Sequence, residues 1–195
     1  MEDIKEKKRD IRSEIEKKIQ ALSEKERIEK VLKIENSLFE FANYLESKIA
    51  LLYLPRPYEV HTVGIIRRSF SYDKVVVLPS FDTRKFEMKL FKIENLDVDL
   101  IPGERGILEP NPSRCKPIPV DFIDIAVIPG VAFDEKGGRI GSGEGYYDRL
   151  IPRLPITTRK VSLSLECQMI QQVPMESNDK HVDIIITENR TIYKI

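Results

Sequence analysis

The sequence predicts an α/β protein: a three-layer sandwich in which helices cover both faces of a mostly parallel central sheet, behind an N-terminal helical segment. Three observations carry that expectation. Short, near-continuous apolar runs recur along the chain, as strands buried on both faces do, because neither face meets water. Segments with three- to four-residue apolar spacing alternate with them. Hydrophobic residues make up 41% of the 195 positions and charged residues 33%, a balance that supports a substantial core and excludes a disordered chain.

Ile4, Ile11, Ile15, Ile19 and Leu22 recur at helical spacing among charged residues and give a first helix. Ser23 followed by Glu26 has the spacing of a capping box, so a second helix starts near Glu24 and runs toward Ser47. Its apolar positions are Ile28, Val31, Leu32, Ile34, Leu38, Phe41 and Leu45. Residues 1–30 carry ten basic and nine acidic side chains, which read mostly as a self-compensating wet face. The run 49–54, stopped by Pro55 and Pro57, suits a buried strand; 62–68 suits a helix that contains Gly64. Val75–Leu78, ending before Pro79, reads as a buried strand, and 86–93 alternates with period two like a strand with one wet face. Five prolines between Pro102 and Pro119 mark an ordered connection. Runs at 123–128, 161–165 and 182–186 supply the later strands, completing a Rossmann-like order of elements.

Six of the nine glycines lie between Gly130 and Gly145, after the apolar run Phe122–Ile128 and before a helix-like segment, Gly145–Ile151. Strand, glycine loop and helix start can hold phosphate on bare N–H groups. The spacing is neither a Walker loop nor the dinucleotide fingerprint, and Gly137-Gly138 alone would be a tight turn. On spacing alone, phosphate binding and an ordinary turn both stay open.

The formal net charge is 0, from 32 basic and 32 acidic residues, which argues against nucleic acid or an anionic membrane as a partner. No stretch reaches the ~18 apolar residues of a membrane span. The charged N-terminus lacks the apolar run of a secretory signal, so a cytoplasmic location is expected. Cys115 and Cys167 read as free thiols, and His61 and His181 are too few for a histidine metal cluster.

Residues 124–149 resemble the signature region of the 5-formyltetrahydrofolate cyclo-ligase (methenyltetrahydrofolate synthetase) family. The matching stretches are Pro129-Gly130-Val131-Ala132-Phe133-Asp134, Gly138-Arg139-Ile140-Gly141 and Gly143-Glu144-Gly145-Tyr146-Tyr147-Asp148-Arg149. Lys8-Arg9-Asp10-Ile11-Arg12, Glu59-Val60-His61-Thr62, Glu109-Pro110 and Asn178-Asp179-Lys180-His181-Val182-Asp183 resemble further family elements in the expected order. Glu144 departs from the pattern, standing where a lysine or a small residue is often found.

The resemblance implies a single cyclo-ligase domain over residues 1–195, monomeric, which uses ATP and Mg2+ to convert 5-formyltetrahydrofolate to 5,10-methenyltetrahydrofolate. It implies catalytic roles for Arg139 and Tyr146. It implies ATP binding by Lys8, Arg9, Arg12 and the run Arg139, Ile140, Gly141, Ser142, Gly143, Glu144, Gly145, Tyr146 and Tyr147. Folate would meet Glu59, Arg12 and Tyr146, and Mg2+ would meet Asp148 and Asp179. Read as residues alone, Lys8 and Arg12 belong to a solvated helix face, and Glu59 and Asp148 to helix starts. Asp179 reads as a turn residue, and Tyr146 and Tyr147 as core. The competing functions are an inactive folate or nucleotide binder, and a sugar-phosphate kinase or isomerase on a related fold.

Overall fold

In the computed structural model, which describes residues 3–194, the N-terminal segment forms α1 (Ile4–Gln20), α2 (Glu24–Glu40) and α3 (Ala42–Glu46). There follow β1 (Ile49–Leu51), α4 (Val63–Phe70), β2 (Val75–Asp82), β3 (Glu87–Ile93), β4 (Leu100–Pro102) and β5 (Leu108–Pro110). The second half comprises β6 (Ile125–Val127), β7 (Ala132–Phe133), β8 (Arg139–Ile140), α5 (Tyr146–Leu150), β9 (Arg159–Leu163), β10 (Ile184–Ile186) and β11 (Thr191–Tyr193).

Seven strands form one sheet in the order β11-β10-β9-β6-β1-β2-β3. Its five inner strands are parallel, and β3 and β11 run antiparallel at the edges. Successive side chains of a strand point to opposite faces, and here both faces are apolar. Ala50, Leu52, Val76, Leu78, Ile125, Val127, Val161 and Ile184 join one core with α1, α2, α3 and α4. Leu51, Val77, Ala126, Ile128 and Ile185 join a second with Tyr146, Tyr147 and Leu150 of α5. The sandwich is therefore lopsided: four helices on one face, and one short helix with 3-10 turns on the other.

The capping box is formed, Ser23 N donating to Glu26 Oε2 (2.8 Å) and Glu26 N to Ser23 Oγ (3.2 Å). The helix it starts ends earlier than its periodicity suggests, because Phe41 takes an extended conformation and α3 begins anew. That break is held from outside the helix. Buried Tyr44 bonds Ser69 (2.6 Å), and the Lys74 ammonium donates to the carbonyls of Tyr44, Leu45 (3.3 Å) and Ser47 (2.7 Å), capping the end of α3. Ile34 and Leu38 are buried, whereas Ile28 and Leu32 on the flank of α2 stay exposed.

β2 continues through Pro79 because β1 has already ended; Pro79 faces only β3, and no parallel neighbour asks for its missing N–H. The proline-rich connection contains a two-stranded ribbon, β4–β5, whose Glu109 accepts from Ser80 Oγ and Phe81 N of β2, both at 3.0 Å. The glycine stretch also divides. Gly137 and Gly138 turn the β7–β8 hairpin, and Gly141, Gly143 and Gly145 belong to the loop before α5. Gly137 has φ 81°, and a Cβ there would meet the Val182 carbonyl at 2.3 Å. Cys115 and Cys167 are free thiols. Among the described residues no helix is long and apolar enough to cross a membrane.

Asp134 fixes this hairpin. Its Oδ1 accepts from Lys136 N (3.0 Å) and Gly138 N (2.8 Å), and its Oδ2 from Val173 N (2.8 Å). Three amides lose a charged acceptor in Asp134→Ala, and that variant is expected to lose about 3 kcal/mol of stability. Urea unfolding checks this; a change within ~0.5 kcal/mol, as for a plain surface site, would contradict it.

Candidate active site

Helix α1 carries Lys8, Arg12 and Glu16 at four-residue spacing, which aligns them along one side of the helix. The Lys8 ammonium reaches Glu176 (2.9 Å) and Asp179. Burial alone would lower its pKa, but these two carboxylates outweigh burial and raise it. Arg12 Nε donates to the Gly141 carbonyl (2.8 Å), joining α1 to the glycine loop; burial pulls its pKa down. Glu16 accepts from the Tyr58 hydroxyl and so ties α1 to the segment that carries Glu59.

The loop is built around Arg139, which is only 4% exposed. Its Nη1 donates to the Pro129 carbonyl (3.1 Å) and its Nη2 to Asp148 Oδ1 (2.9 Å), which also accepts from Lys180 N (3.0 Å). Arg139 Nε is buried without a partner. A Cβ at Gly141 would lie 2.7 Å from Nη1, so glycine there lets the backbone close over the guanidinium. Gly143 (φ 111°) and Gly145 (φ 70°) take left-handed conformations that favour glycine. The five residues of α5 offer little more than one turn of helix dipole. Positive potential at this loop therefore comes mainly from side chains.

Two connected hollows result. The larger, about 320 Å³, is lined by Lys8, Arg12, residues 139–148, Glu176 and Asp179. The smaller, about 30 Å³, is lined by Tyr53, Glu59, Leu78 and Phe81, among others. Arg105, Arg139, Gly141, Ser142 and Tyr147 line both. Glu59 is 8% exposed and accepts from Arg56 N (2.8 Å). Burial pushes its carboxyl above the usual value, against the Arg56 N–H and the charges of Arg56, Arg105 and Arg139. Burial also raises the phenols of Tyr146 and Tyr147, which stay protonated hydroxyls.

The structure thus brings together Lys8, Arg12, Arg139, Ile140, Gly141, Ser142, Gly143, Glu144, Gly145, Tyr146, Tyr147, Asp148 and Asp179, with Glu59 in the adjoining hollow. Arg9 is not among them: its side chain is 71% exposed and pairs with Glu6 and Asp10. Asp148 and Asp179 are first of all the partners of Arg139 and Lys8. Among the described residues no three His, Cys, Asp or Glu side chains are grouped to hold an ion. The carboxylates present do not make a protein-only metal cage.

Arg56, Arg105 and Glu176 are site residues that sequence patterns did not mark. Arg105 sits at the ribbon tip with its guanidinium 3.9 Å from the Phe81 ring centroid and 5.1 Å from that of Tyr146. The available signal was an arginine in Gly103-Glu-Arg-Gly106, a glycine-bounded turn between prolines.

The family model described as the 5-formyltetrahydrofolate cyclo-ligase family matches residues 4–188. A mouse (Mus musculus) protein named 5-formyltetrahydrofolate cyclo-ligase is 26% identical over 190 residues, covering 93% of this chain and 94% of its own. A Schizosaccharomyces pombe protein named as a probable 5-formyltetrahydrofolate cyclo-ligase is 30% identical over 84% of this chain and 86% of its own. The solved structure of Aquifex aeolicus 5,10-methenyltetrahydrofolate synthetase superimposes with TM-score 0.83 at 30% identity, covering 95% of this chain and 92% of that one.

The raised Glu59 carboxyl has a stability consequence. A group whose folded pKa lies above its unfolded value, here 4.5, loses stability as pH rises through the folded pKa. Glu59→Gln is therefore expected to raise the midpoint of urea unfolding at pH 7 and to leave it nearly unchanged below pH 4.5. Equal shifts at both pH values would show that the charge is not what matters.

Proposed function

The chain belongs to the 5-formyltetrahydrofolate cyclo-ligase family, and from that premise we propose that it converts 5-formyltetrahydrofolate and ATP into 5,10-methenyltetrahydrofolate, ADP and phosphate. The observation that carries the reading is the shared wall between a cation-lined hollow and one that ends on a buried carboxylate. A triphosphate suits the first, because Lys8, Arg12 and Arg139 line it together. The second offers the Glu59 carboxylate to the amine and amide N–H edge of a pterin; at about 30 Å³ it admits that edge alone unless its walls part around the ring.

A formamide oxygen leaves poorly, so direct ring closure is slow. In the proposed reaction the formyl oxygen attacks the γ-phosphorus and the bond from that phosphorus to the bridging oxygen breaks, releasing ADP. The N10 amine then attacks the formyl carbon, its proton is lost, and the carbon–oxygen bond breaks to free phosphate. The protein's work in such a transfer is positioning and charge neutralisation. Arg139 supplies a fixed guanidinium at the junction of the hollows, aligned by Asp148. Tyr146 and Tyr147 supply protonated hydroxyls and an apolar wall. Mg2+, entering with the phosphates, would neutralise their charge, and Asp148 and Asp179 are among the carboxylates lining the larger hollow that could hold it.

The direct test is to mix the purified protein with ATP, Mg2+ and 5-formyltetrahydrofolate and follow the near-ultraviolet absorption of the methenyl product. Absence of product while the folate still binds would favour an inactive binder. Asp148→Asn releases Arg139 from its partner and is expected to cost about 100-fold in kcat/KM for ATP. Steady-state kinetics checks it, and wild-type turnover would remove Asp148 from the site. Glu59→Gln is expected to raise the folate KM more than the ATP KM; the reverse pattern would reassign Glu59 to the nucleotide.

A further inference from the structure

Glu144 is the one carboxylate placed within the glycine loop itself, and a single oxygen of it carries three hydrogen bonds. Its Oε2 accepts from Arg105 Nε (2.8 Å), Arg105 Nη2 (2.5 Å) and Arg56 Nη1 (2.8 Å). Arg56 Nη1 also reaches Ser142 Oγ (3.2 Å). The two ends of this contact differ in freedom. The Arg105 side chain is 5% exposed, with its guanidinium carbon 3.9 Å from the Phe81 ring centroid, whereas the Glu144 side chain is 38% exposed. Glu144 also stands between Gly143 and Gly145, where the missing Cβ opens more backbone conformations than another residue would have.

A nearly buried guanidinium needs an anion beside it. Within the protein Glu144 is that anion, and Arg105 borders both hollows. Glu144 takes the Nε–Nη2 edge of the Arg105 fork, so an incoming polyphosphate is denied that two-pronged edge while the carboxylate holds it, and two anions on one guanidinium repel. We propose that Arg105, with Arg56, is a further phosphoryl-oxygen binding residue of this site, and that Glu144 is its displaceable counter-ion. When phosphate oxygens arrive, Glu144 turns out toward solvent and hands over the N–H groups it held. The fixed partner stays and the mobile partner leaves. This inference rests on the reading of the larger hollow as a phosphate site, and it concerns residues to which that reading gave no such role.

Calorimetric binding of inorganic tripolyphosphate to the full chain at neutral pH tests it without folate or turnover. Removing the competing charge in Glu144→Gln is expected to tighten binding about fivefold, since the competent, unlatched state no longer has to be reached against an ion pair. Arg105→Met keeps the apolar stem over Phe81 but is expected to weaken binding about tenfold. Should that variant fail to fold, Arg105→Lys, which keeps the charge and loses the fork, is expected to weaken it by a smaller factor. In the Glu144→Gln/Arg105→Met double variant most of the fivefold gain should vanish, because the counter-ion then has lost its main partner. Weaker or unchanged binding in Glu144→Gln overturns the proposal, as does wild-type affinity in Arg105→Met or no binding by the wild type. A failed cyclisation assay alongside the expected tripolyphosphate pattern would instead remove the folate reading and leave this one standing.

Discussion

A buried guanidinium imposes its surroundings, and Arg139 is the group around which the site is arranged. Leaving so little of it in water is tolerable only with an anion and good hydrogen-bond geometry nearby. Asp148 supplies the anion from the first turn of α5, and the Pro129 carbonyl supplies a second acceptor from the end of the β6 segment. Those two bonds set where α5 sits relative to the sheet. Gly141 follows from the same constraint, since a Cβ there would press on Arg139 Nη1, whereas a Cβ at Gly130 would meet the Phe133 ring first and Arg139 Cγ next. The glycine pattern is thus partly a record of room made for an arginine.

Helix α1 then closes the assembly from the thicker side of the sandwich. Lys8 and Arg12 engage Asp179 and the loop, while Glu16 and Gln20 hold the Tyr58 hydroxyl. Tyr58 has φ 70°, a left-handed conformation that costs a residue with a side chain of order 1 kcal/mol. The Gln168 amide donates to its carbonyl (3.1 Å), so the strained turn is fastened at both ends. Glu59, the next residue, is delivered into its hollow by that turn. One helix therefore links the cation-lined hollow to the carboxylate hollow, and a shift in either has a short mechanical route to the other.

What the sequence revealed follows the range of the interactions involved. Strands buried on both faces, the capping box at Ser23 and the helical stripe through Ile15 and Ile19 are local patterns, and the structure keeps them. The early end of α2 at Phe41 and the run of β2 through Pro79 depend on Lys74 and on where β1 stops, which no window of neighbouring residues contains. The short edge strand β11 and the β4–β5 ribbon are too brief to show a period. Site residues divide the same way. The loop from Arg139 to Asp148 is contiguous and could be read as one motif. Arg56, Arg105 and Glu176 arrive from separate connections, and Arg9 shares the Lys8–Arg12 segment yet turns out to solvent, because helical geometry gives adjacent residues different faces.

The charges of the site cancel almost pair by pair. Lys8 is matched by Asp179 and Glu176, Arg139 by Asp148, and Arg105 by Glu144. A bare cluster of these cations would repel itself and oppose folding. Internal carboxylates remove that cost, but they also compete with any anionic ligand for the same donors. The competition is unequal. Asp148 and Asp179 are further held by backbone N–H groups of Lys180 and Glu176, so they stay as orienting partners. Among the described residues, Glu144 has no such anchor on its side chain beyond the two arginines. Glu176 could leave Lys8 to Asp179 in the same way, but Glu144 is the carboxylate that sits in the loop itself and holds an arginine shared by both hollows. On the proposed reading a phosphate-bearing ligand therefore takes its place there without dismantling the Lys8–Asp179 and Arg139–Asp148 pairs.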